Sequence, residues 1–181
     1  MTGTSLTVSK AWELRQAFDQ TYAIPPLSQV IGQIEDLLAI RVAGEPYAIR
    51  VREISGLANN RRTVALPSHV PELLGIAGIR GGFLPVYSLP VLLGYSRGAD
   101  QGRWLALCGS GEPVGLAFSD FEGYLRVPLT QIYSAEQKDV ERDHIKHVVR
   151  AGDMVRAVVS IPLIRKTIQR RCANDSVSKE R

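Results

Sequence analysis

From residue 34 onward, apolar and polar residues alternate in short runs that predict β-strands. In the clearest run, PYAIRVREI at 46–54, Tyr47, Ile49 and Val51 alternate with Arg50 and Arg52, which is the period of two expected of a strand. The run DLLAIRV at 36–42 precedes it, and the turn residues AGEP separate the two. The pair therefore predicts a β-hairpin whose two arginines face away from its apolar side, toward solvent.

Further short runs with strand character occur along the chain, at 63–66, 76–80, 83–89, 104–108, 113–118, 124–127, 145–149 and 154–161. Short strands at close spacing, punctuated by Gly, Pro, Asn and Ser, are typical of small barrels or sandwiches. Two helical turns are predicted between them, VPELLG at 70–75 and LPVLLG at 89–94, each with an early proline and a final glycine. The predicted fold class is mainly β.

The two ends of the chain have other patterns. In residues 1–33, Trp12, Leu14, Phe18 and Tyr22 lie near helical spacing, and Pro25-Pro26 must end any helix there, so we expect an arm with a short helix and a stiff Pro-Pro connector. A second helix is expected over 162–171. Residues 172–181 are small, polar and charged, which predicts a frayed tail. The predicted organisation is 1–33, 34–171 and 172–181.

Length and cysteine content set broad limits on the class of protein. A chain of 181 residues is one ordinary domain, or two small ones sharing an interface. The two thiols, Cys108 and Cys172, are typical of reduced cytosolic cysteines. We see neither an export signal nor an apolar run of about 18 residues. The sequence therefore predicts a cytoplasmic protein that does not insert into membranes.

The chain is basic, with a net charge of +4 and a pI of about 9.3. Such a charge suggests nucleic acid as a partner. The cations, however, fall in separated pairs, and aromatic residues that could stack bases are not interleaved with them. The pairs are Arg50 with Arg52, Arg61 with Arg62, Arg165 with Lys166, and Arg170 with Arg171. A basic small-barrel protein that binds nucleic acid remains the alternative function.

The sequence shows no set of residues with the spacing that a catalytic or metal site requires. His144 and His147 in DHIKHVV, with Asp143 or Cys108, are the nearest candidates for a metal site. On a strand, positions three apart face opposite ways, so two exposed histidines near a turn explain the pattern better. The segment CGSGEP around Cys108 is interpreted as a hairpin turn, and no G-x-S-x-G elbow occurs. We expect no catalysis, no cofactor and no metal.

The stretch GIAGIRGG at 75–82 places four glycines around Arg80. Its spacing matches neither the dinucleotide fingerprint nor the phosphate loop. Glycine permits a bulge or corner and allows another chain to approach the backbone closely. Two interpretations are open: a docking surface in which a partner reaches Arg80, or a barrel-corner strand whose arginine only faces water.

The chain resembles the CheW-like coupling proteins of bacterial chemosensory systems over residues 34–171. The resemblance rests on the order of YAIRV, LPSHVPELLGIAGIRGGFLPVYSL and PVGLAFSDF. The family pattern of a helical turn, an arginine-glycine pair and a proline strand is met by Pro71, Leu74, Gly75, Arg80, Gly81, Leu84, Pro85, Val86 and Leu89.

This resemblance implies two intertwined five-stranded SH3-like barrels that form an adaptor without an active site. It implies two partners, the regulatory domain of a CheA-like histidine kinase and the tip of a methyl-accepting chemoreceptor, the latter bound along an apolar groove between the barrels. The residues it implies for partner binding are Arg80 with Ile54, Gly56, Leu57, Gly75, Ile79, Gly81 and Gly115.

The sequence departs from the family pattern mainly by losing acidic residues. Gly56 stands where the family usually carries glutamate, and Ser88 and Ser119 stand where aspartates are usual. Gly78 replaces an asparagine. Arg80 is then left as a bare positive charge, which could select a more acidic partner. We therefore expect a specialised adaptor of a pilus, gliding or developmental pathway.

Overall fold

A computed structural model of the chain describes residues 33–98, 102–109, 112–135 and 144–178, with side chains up to residue 173. By its contacts the chain divides into Met1–Gln33 and Ile34–Arg181. The helix and the Pro-Pro connector expected near the N-terminus lie outside the described residues. All the strands, helices and core clusters of the described residues belong to the second unit.

Strands dominate this unit, as the alternating pattern predicts. In chain order they are β1 Ile34–Val42, β2 Glu45–Arg50, β3 Gly56–Asn59, β4 Thr63–Val64, β5 Leu73–Ile79, β6 Gly82–Ser88, β7 Trp104–Cys108, β8 Val114–Phe118, β9 Asp120–Pro128, β10 Ile132–Ser134, β11 Ile145–Ala151 and β12 Met154–Val159. The helices are α1 Leu89–Leu92 and α2 Ile161–Ser178, and short 3₁₀ turns lie at Val51–Glu53 and Leu129–Gln131.

The strands form two six-stranded sheets. The first sheet has the order β10-β11-β12-β2-β1-β9 and the second β3-β7-β8-β6-β5-β4. Each is antiparallel except for one parallel pair, β12 with β2 and β6 with β8. Because the first sheet joins the first two strands to the last four, the second sheet lies wholly within its span of sequence.

Apolar side chains form three clusters, one on each sheet and one shared. Leu37, Val127 and Val149 belong to a cluster drawn from the first sheet alone, and Leu84 and Leu107 to one drawn from the second. The second cluster takes side chains from β5, β6, β7 and β8, with Ala58 of the edge strand β3 against it. The largest cluster combines both sheets with α1 and α2, which holds the two sheets together.

Two features of the sheets differ from expectation. Each sheet has six strands in the described residues, where the family resemblance implied five-stranded barrels. Strand β4 lies within the predicted run 63–66, whereas the short strands β3 and β10 lie outside every predicted run. The helical turn predicted at 70–75 is wrong. A turn at Pro71-Glu72 leads directly into β5, since pairing with β6 outweighs the local proline and glycine signal.

Arg50 is another correction, because the predicted solvent-facing arginine is only 8% exposed. Strand β2 ends at Arg50, and all of its last four residues are buried. The guanidinium is compensated by Glu35 at 3.6 Å and Glu53 at 3.5 Å, and it donates to His147 Nδ1 at 3.1 Å. A buried cation requires such partners.

The C-terminal helix is longer than predicted at both ends. It begins at Ile161, whose N–H donates to Glu53 Oε2 at 2.9 Å, so a side chain 108 residues away satisfies this otherwise open helix terminus. Ile164 and Ile168 are buried in the shared cluster. Helical backbone continues to Ser178, beyond the predicted end of the helix at 171.

Candidate protein-docking site

The glycine-rich stretch forms the exposed tip of the β5–β6 hairpin. Ile79 pairs with Gly82, which leaves Arg80 and Gly81 as a two-residue loop. Their φ values are +51° and +80°, and a type I′ turn requires positive φ at both positions. Such turns favour Asn or Gly at the first position, and an arginine there costs about 1 kcal/mol of backbone strain. The turn thus keeps an unfavourable residue at an exposed position.

The Arg80 side chain extends from this tip toward strand β3. Its Nη2 atom lies 3.3 Å from the place where a Cβ atom of Gly56 would stand, and Leu107 Cδ1 lies 3.6 Å from the same place. The structure therefore brings Gly56 and Arg80 together, although they are 24 residues apart. A side chain at position 56 would meet the guanidinium, which is where the family pattern supplies its acid.

The acidic side chains closest to Gly56 and to Arg80 along the sequence are engaged elsewhere. Glu53, three residues before Gly56, pairs with Arg50 and accepts the Ile161 N–H. Glu72, in the turn before β5, is 2% exposed and pairs with Arg171. Within the described part of the chain, neither an ion pair nor a hydrogen bond joins the Arg80 side chain to another residue. Arg80 is an exposed and uncompensated cation.

Apolar side chains surround this charge. Ile54 and Leu57 flank Gly56 and pack partly against the shared cluster, while Ile79 packs partly against the cluster of the second sheet. All three keep part of their surface open to solvent. We call Arg80, Gly81, Gly56, Ile54, Leu57 and Ile79 the Arg80 site. It combines one fixed charge with half-buried aliphatic groups.

Sequence reasoning missed Phe83, which is 80% exposed, the highest value among the described large apolar residues. It lies opposite Gly78 on β5, and its Cε1 atom is 3.8 Å from where a Gly78 Cβ would stand. The ring therefore covers the glycine that replaces the family's asparagine. An aromatic residue directly after Gly81-Gly82 was the available signal. A large apolar side chain so exposed beside a fixed cation is typical of an interaction surface.

An open groove of about 460 Å³ extends from Phe83 along α2. Pro85, Tyr87 and Val114 line it from the second sheet, and Ile168 lines it from the helix. Tyr87 also contacts Cys172 of α2, with 3.6 Å between the hydroxyl oxygen and the sulfur. The groove offers an apolar partner a preformed surface between a sheet and a helix.

Two of the expected partner-binding residues are buried. Gly75 has a φ of +140°, and a Cβ there would lie 1.9 Å from the carbonyl oxygen of Val64. A Cβ on Gly115 would lie 2.9 Å from Leu84 Cδ1. Both glycines allow close approach between neighbouring strands, so they shape the second sheet and do not belong to the exposed Arg80 site.

The histidines expected to be exposed are placed differently. His144 is buried, and His147 is half-buried with its Nδ1 beside Arg50. Burial and the neighbouring Arg50 charge lower the pKa of His147. Within the described ranges, no group of three or more His, Cys, Asp and Glu side chains is arranged to hold a metal. Burial also raises the pKa of Cys108 to about 12, so this thiol is a poor nucleophile at neutral pH.

Each of the two β-sheets has its own apolar cluster, and a shared core joins them. A charged hairpin tip is exposed on the second sheet. The protein is therefore of the two-sheet β class, with a candidate docking surface. A family model for the CheW-like domain matches residues 36–169. The chain belongs to this family, and the resemblance seen in the sequence is confirmed.

The fold is also similar to that of a solved relative. The crystal structure of scaffolding protein TtCheW from Thermoanaerobacter tengcongensis matches with a TM-score of 0.65 and 13% identity, over 71% of this chain and 90% of that chain. A comparison with curated proteins finds no match. Among the helices that the structure describes, none is long and apolar enough to cross a membrane.

Proposed function

We propose that this protein is a non-catalytic cytoplasmic adaptor of a bacterial chemosensory pathway. It binds the regulatory domain of a CheA-type histidine kinase and the tip of a methyl-accepting chemoreceptor. Membership of the CheW-like family and the scaffolding role named for TtCheW support this function. The observation that carries it is Arg80, an uncompensated cation on a strained, exposed turn.

The strain at Arg80 supports a functional role for this residue. A residue that breaks the local preference of its turn lowers stability, and such residues concentrate where binding or catalysis requires them. Asparagine or glycine would suit the turn better. Since neither stands here, we assign the guanidinium to partner recognition.

The chemistry of the Arg80 site indicates what the partner presents. Arginine pairs with carboxylates through two parallel hydrogen bonds, and Gly56 leaves open the place from which an intramolecular acid would bond. We infer that the partner supplies a carboxylate to this gap, surrounded by apolar groups that contact Ile54, Leu57 and Ile79. We propose that the protein acts in a specialised pilus, gliding or developmental pathway, because its partner would have to supply the acid that is lost at Gly56.

The apolar groove beside Phe83 supports the receptor half of the proposal. An amphipathic helix binds by placing an apolar stripe in a groove, and this groove has Pro85, Tyr87 and Ile168 along its walls. For the finer architecture, we propose that each sheet curls into one of a pair of SH3-like barrels. The Arg80 site and the groove beside Phe83, both formed at least in part by the second sheet, would offer separate surfaces to kinase and receptor.

Nucleic acid is the weaker candidate partner, because several of the cations form ion pairs within the chain. Arg50 is buried among its partners, and Arg41 and Arg156 both pair with Glu122, at 2.5 and 2.6 Å. Such residues cannot join a continuous basic stripe along a phosphate backbone. A salt-dependent mobility shift on RNA or DNA would favour nucleic acid instead.

The test is a pair of charge reversals measured by calorimetric titration with the kinase regulatory domain. Arg80→Glu should weaken binding at least tenfold, since it places like charges at the contact. Arg150→Glu, at an exposed position on β11 of the other sheet, is the matched control and should bind like the parent protein. Equal affinity of the Arg80→Glu protein would remove this site from the interface.

A further inference from the structure

A second concave site lies between β11 and α2, apart from the Arg80 site. It has a volume of about 510 Å³ and is lined by His144, Lys146, Leu163, Lys166, Thr167 and Arg170. Lys166 and Arg170 are four residues apart, so they share one face of the helix. Three positive charges from two elements therefore converge on one cavity.

These cations have no counter-charge in the described residues. Among the described residues that line the cavity, none is acidic. In the part of the chain that the structure describes, neither an ion pair nor a hydrogen bond joins Lys146, Lys166 or Arg170 to another side chain. Like charges held close together repel one another, so an anion bound between them would be stabilising.

Thr167 adds a hydroxyl group to the lining of the cavity. Its side chain lines the cavity and is only 7% exposed. Within the described ranges its hydroxyl makes no hydrogen bond. The hydroxyl is therefore free to donate a hydrogen bond to an oxyanion in the cavity. The hydroxyl and the three cations thus match the donors that a phosphate group requires.

We propose that this cavity binds a small molecule carrying a phosphate or pyrophosphate group. Its volume lies within the range of small-molecule sites, about 300–1,000 Å³. Lys146 and Lys166 would neutralise the charge, Arg170 would donate paired hydrogen bonds, and Thr167 would donate one more. The Arg80 site shares none of these residues, so a ligand here would add a second input to the adaptor.

Calorimetric titration of the full chain with inorganic pyrophosphate tests the proposal. The parent protein should show saturable binding, and Lys166→Gln/Arg170→Gln should weaken it at least tenfold, because each charged hydrogen bond carries a large share of the affinity. Arg61→Gln/Arg62→Gln removes the same charge from exposed positions outside the cavity and should change the affinity less than twofold.

Thr167→Val provides a variant of matched size. Since the hydroxyl has no partner to lose in the described residues, the melting temperature should not fall, while pyrophosphate affinity should drop about fivefold. This variant decides the question if Lys166→Gln/Arg170→Gln fails to fold. The proposal is overturned if the folded parent shows no saturable binding at millimolar pyrophosphate, or if both double variants lose affinity equally. Binding of single-stranded DNA without binding of pyrophosphate would also overturn it.

Discussion

The guanidinium of Arg80 lies beside Gly56, with Nη2 3.3 Å from the position where a Cβ atom of residue 56 would stand. Replacing Gly56 by Glu should therefore create an ion pair within the chain. If the partner normally supplies the carboxylate, Gly56→Glu should weaken kinase or receptor binding at least tenfold, because the cation is already paired. Gly56→Gln adds the same bulk without charge and should weaken binding much less. Equal losses in both variants, measured by titration, would attribute the effect to shape alone.

Arg80→Asn separates stability from binding. Asparagine tolerates positive φ, so the free energy of unfolding in urea should rise by up to about 1 kcal/mol. Partner binding should fall at the same time, since the guanidinium is lost. A variant that is less stable than the parent would show that Arg80 stabilises the turn, contrary to a role in partner recognition alone.

Gly75 and Gly81 should respond differently to the same substitution. A Cβ at Gly75 would lie 1.9 Å from the Val64 carbonyl oxygen, whereas nothing lies within 4 Å of a Cβ at Gly81. Gly75→Ala should lower the free energy of unfolding by about 3 kcal/mol, from overpacking and backbone strain together. Gly81→Ala carries only the strain and should lower it by about 1 kcal/mol. Similar unfolding curves for both variants would contradict the close strand approach.

His147 should make stability depend on pH. Its pKa is lowered in the folded protein by burial and by Arg50, so the unfolded chain binds the proton more readily. Its contribution to stability is therefore present above the unfolded pKa of about 6.5 and is lost as pH falls below it.

The measurement is a series of urea unfolding curves between pH 7.5 and 5. The His147→Asn protein, which keeps an acceptor for Arg50, should show a smaller fall in the free energy of unfolding than the parent. His69→Gln, at an exposed position, is the control and should leave the slope unchanged. A parent slope that His147→Asn does not alter would show that another group is responsible.

The local part of the fold could be predicted from the sequence. Alternation around Tyr47 predicts the first hairpin, and Pro90 with Gly94 predicts α1. The exposed glycine ribbon around Arg80 was also expected, because closely spaced glycines between apolar residues indicate a corner. Each of these features depends on residues that are close together in the chain.

Features that depend on distant partners could not be predicted. Arg50 alternates with apolar neighbours as a solvent-facing residue would, yet Glu35 and His147 reach it from other strands and permit its burial. The turn at Pro71 fits a helix start until pairing of β5 with β6 overrides it. Adjacency of Gly56 and Arg80 likewise depends on the arrangement of the second sheet, which no local pattern encodes.

The most direct test of the adaptor function is calorimetric titration of the full, folded chain with the regulatory domains of the CheA-type kinases of the same organism. We predict saturable binding to at least one of them, with a dissociation constant on the order of micromolar, together with binding to a receptor tip. Absence of binding to every kinase domain and receptor tip, by protein whose folding is verified by circular dichroism, would contradict the adaptor function.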